Sequence, residues 1–253
     1  MMDFKDVYEF REKSGYEIDG VWYPRVTKIV EIKAKPALYR FYAGLKNFNE
    51  GEVIKEKSAV HGTMVHEAVQ AIILNRNPQV DPEIQPAVSA FQKFFGENPI
   101  KSETALIEKR VVSHDHRYAG TVDAIAEIGG KFGVLDIKTS QSIYRDYNLQ
   151  TAAYMEALKN NFHNLQTRWI LKIDQHEICG LCSAKRRTKG GREKIRTNWG
   201  ATSCKNHEWG ALLGDVEIQE FPFWQNDFEA FLGAKKLWEW ENEYWLKKIG
   251  YLS

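Results

Sequence analysis

The stretch that decides the fold is YAGTVDAIAEIGGKFGVLDIKT, residues 118–139. Two runs of alternating apolar and β-branched residues flank Gly129-Gly130. A two-residue Gly-Gly link between such runs predicts a tight hairpin. With that turn Ile128 faces Lys131, and each step back along the first strand matches one step forward along the second. Five steps bring Asp123 directly opposite Asp136. Facing residues of an antiparallel pair hold their Cβ atoms roughly 5 Å apart, so two carboxylates there repel, and one is held protonated unless a cation lies between them. Oxygen ligands of this kind suit Mg²⁺ or Mn²⁺. Lys138 follows two residues after Asp136 and projects from the same face. There it can stabilise charge developing on a phosphate, or orient an attacking water. A surface strand with incidental charges is the plainer reading of an isolated Asp-x-Lys. Against it, Val134, Leu135 and Ile137 make the run too apolar for an ordinary solvent face. Gly133 leaves room for a bulge that would slip the register by one.

Outward from this hairpin the period changes. Upstream, 105–113 reads as a further strand, preceded by helices over 36–45, 52–74 and 82–95. Downstream, 146–160 reads as a helix, 167–173 and 216–221 as strands, and 226–249 as a C-terminal helix. Residues 176–210 read as an irregular, basic, cysteine-bearing insertion, and the first fifty residues look mixed. The order predicts an α/β or α+β fold with a central mixed β-sheet flanked by helices, in one domain over 1–253.

Composition narrows the class. The chain has 253 residues, 43 % hydrophobic and 27 % charged, the profile of an ordinary globular protein. MMDFKDVYEF lacks a basic segment followed by an apolar run, and no stretch approaches about eighteen apolar residues, so neither a secretory signal nor a membrane span is expected. A cytoplasmic setting is the default. Net charge is only +1, yet the charge is uneven. KRRTKGGREKIR, residues 185–196, holds Lys185, Arg186, Arg187, Lys189, Arg192, Lys194 and Arg196 against a single Glu193. A local basic surface of this kind is what a nucleic-acid groove requires.

Four pieces in order carry a family resemblance: HGTMVHEAV (61–69), GTVD (120–123), LDIKT (135–139) and QTAAY (150–154). Together they resemble the RecB-like branch of the PD-(D/E)XK nucleases, over about residues 60 to 160, with a plausible opening at Arg25-Val26-Thr27. The short spacing and the histidine motif are most similar to single-domain members, such as the mitochondrial genome maintenance exonuclease and the CRISPR-associated RecB-like exonucleases. The resemblance implies a restriction-endonuclease-like core and a set of roles. His66, Asp123 and Asp136 would be metal ligands, the carbonyl of Ile137 would complete the site, and Lys138 would be the catalytic lysine. Gln150 and Tyr154, four apart on one helix face, would line the DNA path. Glu108 matches a position often acidic in the family. Taken alone, His66 reads as a packed or capping residue on a helix with an apolar stripe, and the H-E-x-x-H zinc pattern is absent. Tyr154 alone reads as core.

The three cysteines all fall in the last third, which argues against a disulfide framework in a chain without a secretory signal. Cys179-x-x-Cys182 with Cys204-x-x-His207 forms a possible zinc knuckle, for which thiolate and imidazole ligands are suited. Unpaired packing cysteines are the alternative. With no cysteine before residue 179, a four-cysteine iron–sulfur cluster is not expected. The loop between the Cys pairs carries the basic run, so Lys185, Arg186, Arg187, Arg192, Lys194 and Arg196 would meet phosphates, and Trp199 a base.

The expected function is metal-dependent hydrolysis of DNA by one or two Mg²⁺ or Mn²⁺ ions, in a single-strand-preferring exonuclease of repair, recombination or replication. The expected partner is DNA, single-stranded or with free ends, with no membrane partner. A structure-selective endonuclease using the same site and a non-catalytic DNA-binding module are the alternatives.

Overall fold

In the computed structural model, which describes residues 4–34, 36–197 and 202–253, the hairpin of residues 118–138 is the middle of the molecule. The elements that lead to it are α1 (Val7–Ser14), β1 (Gly15–Ile18), β2 (Val21–Pro24), α2 (Val26–Val30), α3 (Pro36–Ala43), α4 (Phe48–Ile73), α5 (Gln85–Glu97), β3 (Ile100–Lys101) and β4 (Ile107–Ser113). The hairpin is β5 (Tyr118–Ile128) and β6 (Lys131–Lys138). After it come α6 (Asp146–Leu158), β7 (Thr167–Ile178), β8 (Lys185–Lys189), β9 (Arg192–Arg196), β10 (Leu213–Glu220), α7 (Gln225–Glu241) and α8 (Glu243–Lys248).

The result is a mixed α/β fold. β3 to β10 form one eight-stranded sheet in which β5 and β6 are antiparallel, β6 and β7 parallel, and β10 antiparallel to β7. The parallel β6–β7 step needs a crossover, and α6 supplies it. The turn takes the expected form: Gly129 and Gly130 have φ of +59° and +78°, which a Gly-Gly pair adopts without steric cost. Ile128 pairs with Lys131, and the register continues without a slip through Ala126–Gly133 to Ala124–Leu135. Gly133 therefore introduces no bulge.

Each face of the sheet carries its own core. On one side Val122, Ile125 and Val134 pack with α2, α6 and α7 through Val26, Ile29, Met155 and Phe231. On the other, Ala124, Leu135, Ile137 and Leu171 pack with α4 and α5 through Val65, Val69, Ile73 and Phe91. The side assignment along β5 slips at Asp123, since Val122 shares a core with Ile125 whereas Ala124 joins the other. Across from it β4 keeps the pairs Ile107–Ala124 and Lys109–Val122 but skips Glu108, whose φ is +49°. The strands are locally kinked at Glu108 and Asp123.

Two sequence expectations need correction. Residues 176–210 are not irregular: β7 runs on to Ile178, and β8 and β9 form a second hairpin closed by Gly190 and Gly191, with φ of +61° and +81°. Its strands carry basic residues at every second position with Arg186, Thr188, Glu193 and Ile195 between them, so no apolar alternation marks the period. The C-terminal helix breaks at Asn242, whose side-chain amide donates to the Trp238 carbonyl at 2.8 Å. The first fifty residues are mixed as expected, with a β1–β2 hairpin, three helices and the start of α4. Among the described residues no helix is long and apolar enough to cross a membrane.

Gly133 lies where β6 meets the start of β7, and a Cβ there would fall 2.0 Å from the Thr167 carbonyl oxygen. Gly133→Ala is expected to lower Tm by roughly 2–12 °C, from overpacking of about 1–3 kcal/mol. Gly96→Ala, in open space on α5, should leave Tm unchanged or raise it, since alanine is the better helix former. Thermal unfolding of the two variants checks this β6–β7 contact.

Candidate active site

The site forms at the C-terminal end of β6, between α4 on one side of the sheet and α6 on the other. Asp123 Oδ2 accepts a hydrogen bond from the Ile137 backbone N–H at 2.6 Å, which ties the first carboxylate to the second strand. Its Oδ1 lies 3.8 Å from His66 Nδ1, presented by α4. Asp136, only 1 % exposed, accepts at Oδ1 from Lys138 Nζ at 2.8 Å and from Gln150 Nε2 at 3.0 Å. Its Oδ2 is 2.7 Å from Lys138 Nζ but has no well-formed hydrogen bond. A buried carboxylate oxygen without a donor costs stability unless something else satisfies it.

Sequence motifs that look independent are joined by packing. A Cβ at Gly120 would strike Tyr154 Cε1 at 2.5 Å, so the glycine of GTVD makes room for the tyrosine of QTAAY. The Tyr154 hydroxyl sits 3.1 Å from Gln150 Nε2, which in turn holds Asp136. Gln150 is thus part of the carboxylate's support. Tyr154 is 1 % exposed, so it cannot line a surface path for DNA; its ring belongs to the core under Gln150.

Glu108 joins the site because of its kink. The positive φ turns its side chain toward α4, where Oε1 accepts from Gln70 Nε2 at 2.5 Å. With His66 and Thr139 it lines a pocket of about 680 Å³. A non-glycine residue in the left-handed region costs of order 1–3 kcal/mol, and such strain gathers at sites where a side chain must be aimed. Alternation in the strand gives no warning of it.

Burial and like charge govern the electrostatics. Burial pushes Asp123 up to about 6 against the pull of Lys138 and the Ile137 N–H. Burial also pushes Asp136 up to about 6, against Lys138 and with the added repulsion of Asp123. Lys138 is raised: burial opposes its charge, but Asp136 and Asp123 more than reverse that. His66 is lowered, first by burial and then by Lys138, which keeps its ring neutral and its lone pair available.

His66, Asp123 and Asp136 place an imidazole nitrogen and carboxylate oxygens near the end of β6, a donor set suited to Mg²⁺ or Mn²⁺. Their ligand atoms do not all lie within 4.8 Å of one another in this structure. Among the described residues, the only set of three or more such groups whose ligand atoms all lie within 4.8 Å of one another is Cys179, Cys182, Cys204 and His207. There Cys204 Sγ is 3.7 Å from Cys179 Sγ and 3.4 Å from Cys182 Sγ, and His207 Nδ1 is 3.2 Å from Cys204 Sγ and 3.5 Å from Cys182 Sγ. Tetrahedral zinc at usual bond lengths places sulfurs about 3.7 Å apart, so the cluster can hold a metal such as zinc. The thiols do not titrate alike. Burial and its two neighbouring sulfurs push Cys204 up to about 12. Against burial, His207 and backbone N–H groups draw Cys179 down to about 6.

The basic run divides between the two faces of its hairpin. Arg186 is held by Glu177 at 2.5 and 2.7 Å and lies over the Trp209 ring, away from the pocket. Arg187, Arg192, Lys194 and Arg196 line a second pocket, which shares Thr139 with the first. Lys185 is exposed at the start of β8. Trp199 lies outside the described residues. On the C-terminal helices Trp238 and Trp245 stack on Phe10 in the core, whereas Trp240 and Tyr244 are exposed.

No protein-family model matches the chain, and no curated protein matches it.

The raised carboxylates set a pH dependence. Without a cation, Asp123 and Asp136 add stability below about pH 4, and that contribution is lost as pH rises through about 6. A bound cation competes with those protons, so its stabilisation should be full above pH 7 and vanish as pH falls through 6. At a Mn²⁺ concentration near one hundred times Kd the gain is about 2.7 kcal/mol, or roughly 5–10 °C in Tm. Asp136→Asn should remove it. A rise in Tm that persists at pH 5, or in that variant, contradicts a cation held by these carboxylates.

Proposed function

We propose that the chain is a metal-dependent deoxyribonuclease that hydrolyses DNA phosphodiester bonds, acting as a single-strand-preferring exonuclease in repair, recombination or replication. The observation that carries the reading is Asp136: buried, with Oδ2 met only by the Lys138 ammonium and by no well-formed hydrogen bond, in one cluster with Asp123, Lys138 and His66, of which His66 lines an open pocket. The order of the motifs and their resemblance to RecB-like PD-(D/E)XK nucleases supply the reaction class.

One or two Mg²⁺ or Mn²⁺ ions would be held by Asp123, Asp136 and His66 with the Ile137 carbonyl, and would supply a water of lowered pKa and a Lewis acid for the phosphate. The rest falls to the chain's own groups. Lys138, kept protonated by its two carboxylates, cannot serve as a base; its ammonium stabilises charge on the phosphate oxygens. Gln150 fixes the Asp136 carboxylate by donating to Oδ1. Glu108, aimed by the kink, adds a further carboxylate at the pocket and fixes Gln70. Zinc at Cys179, Cys182, Cys204 and His207 would be structural, since all four positions are protein ligands.

Asp136→Ala and Lys138→Ala are each expected to reduce Mg²⁺- or Mn²⁺-dependent cleavage of end-labelled DNA at least a thousandfold, with Tm changed by only a few degrees. Full cleavage in either variant would sink the assignment. Circular single-stranded DNA should survive, and its cleavage would make the enzyme an endonuclease. For the second cluster, mass spectrometry of the native protein should find one zinc per chain, absent in Cys182→Ser; a zinc-free native protein contradicts it.

A further inference from the structure

The β8–β9 hairpin carries a charge arrangement that a solvated loop has no reason to keep. Its register pairs Lys185 with Arg196, Arg187 with Lys194 and Lys189 with Arg192. Paired residues point to the same face, so six cations crowd one face in three directly opposed like-charge pairs. Such pairs are destabilising. The opposite face is neutralised, with Arg186 held by Glu177 and Glu193. On the cationic face Asp174 takes up Arg187 alone. Lys189 and Arg192 donate to neutral oxygens, those of Thr139 and Phe41. Lys194 and Arg196 have no acidic partner among the described residues. The crowding shows in the titration: burial and then Arg187 hold Lys189 down to about 8, and Lys194 is lowered by burial, Arg196, Arg187 and Arg192.

This face forms one wall of a cleft of about 660 Å³. The facing wall comes from α3 and the start of α4 and sets the apolar Leu38, Phe41 and Ile54 beside Arg40, Lys55 and Ser58; Tyr144 adds an aromatic ring. Glu193, paired to Arg186, is the single acid lining the cleft. Two contacts fix the spacing of the walls. The hairpin tip abuts α4, where a Cβ at Gly190 would meet the Ile54 carbonyl oxygen at 2.2 Å, and Arg192 reaches across to the Phe41 carbonyl at 3.2 Å. At the base, the Cys/His cluster grips the chain just before β8 and after β9. Ser58 and Thr139 line both this cleft and the pocket of His66 and Glu108, so the two open into each other.

We propose that this cleft is the strand-binding subsite: it takes a single DNA strand, phosphates toward Lys194, Arg196 and Lys189, bases toward Leu38, Phe41 and Tyr144, and leads it past Thr139 to the carboxylates. A single strand offers separate anionic and aromatic sides, which match the two walls. A duplex turns its bases inward and would leave Leu38, Phe41 and Tyr144 without a base to meet. The proposal rests on the nuclease reading above and adds the place and polarity of the groove.

The test is fluorescence anisotropy with a labelled oligo-dT strand and a hairpin duplex, without divalent cations, across a range of salt. Lys194→Ala/Arg196→Ala should weaken single-strand binding at least tenfold and flatten the salt dependence by about 1.4, two phosphate contacts at about 0.7 each. Its Tm should not fall, because like-charge pairs are relieved. Phe41→Ala should weaken the single strand more than the duplex, and Lys247→Ala/Lys248→Ala on α8 should change neither. Unchanged single-strand affinity or salt slope in the Lys194/Arg196 variant overturns the proposal. So does equal loss of strand and duplex in Phe41→Ala. Cleavage by the native protein in Mn²⁺ is scored separately: binding without cleavage removes the nuclease reading and leaves the cleft, whereas cleavage with unaltered binding removes the cleft and leaves the nuclease.

Discussion

Two carboxylates that repel each other in a buried layer are the constraint on which the rest of this structure depends. Asp123 and Asp136 are brought together by a turn, since Gly129 and Gly130 set a register that continues unbroken to Ala124–Leu135. Everything nearby acts to keep them there. The Ile137 N–H holds Asp123, Lys138 and Gln150 hold Asp136, and Tyr154 supports Gln150 from beneath a glycine. Burial still leaves both with a higher proton affinity than an ordinary carboxylate. One oxygen of Asp136 has the Lys138 ammonium beside it but no well-formed hydrogen bond. A divalent cation is the simplest group that relieves both costs at once.

The same physics recurs with the opposite sign on the second hairpin. There a Gly-Gly turn again fixes the register, and the register again opposes like charges, this time cations. An acidic pocket and a basic cleft, each short of counter-charge, open into each other at Thr139, the residue after Lys138. Arg187 and Lys189 both donate to the Thr139 carbonyl, which links the basic hairpin to the end of β6. The Cys/His cluster at the hairpin's base gives a region of little apolar content a fixed anchor.

Where the sequence was legible and where it was not follows from which forces leave a pattern. The first hairpin could be read to the residue because apolar alternation marks its strands and Gly-Gly marks its turn. The second has the same turn, Gly190-Gly191, yet Lys185 to Lys189 and Arg192 to Arg196 set basic residues on one face and Arg186, Thr188, Glu193 and Ile195 on the other, so no apolar alternation marks the strands. Glu108 could be suspected only from resemblance. Its place in the pocket depends on a positive φ that no local propensity announces for glutamate. Tyr154, read through its motif as a DNA contact and by its apolar neighbours as core, is core. The early helices and the β1–β2 hairpin are too short to establish a period, and their packing around Phe10 and Trp22 comes from α7 and α8, far away in the chain.

The central claim is that Asp123 and Asp136 face each other in order to hold a cation. Anomalous diffraction from crystals soaked in Mn²⁺ tests it most directly. The account predicts a manganese peak within bonding distance of carboxylate oxygens of both Asp123 and Asp136, with His66 Nδ1 or the Ile137 carbonyl completing the shell and Lys138 drawn off Asp136. Manganese bound elsewhere in the molecule, with Lys138 still seated on Asp136, would contradict it.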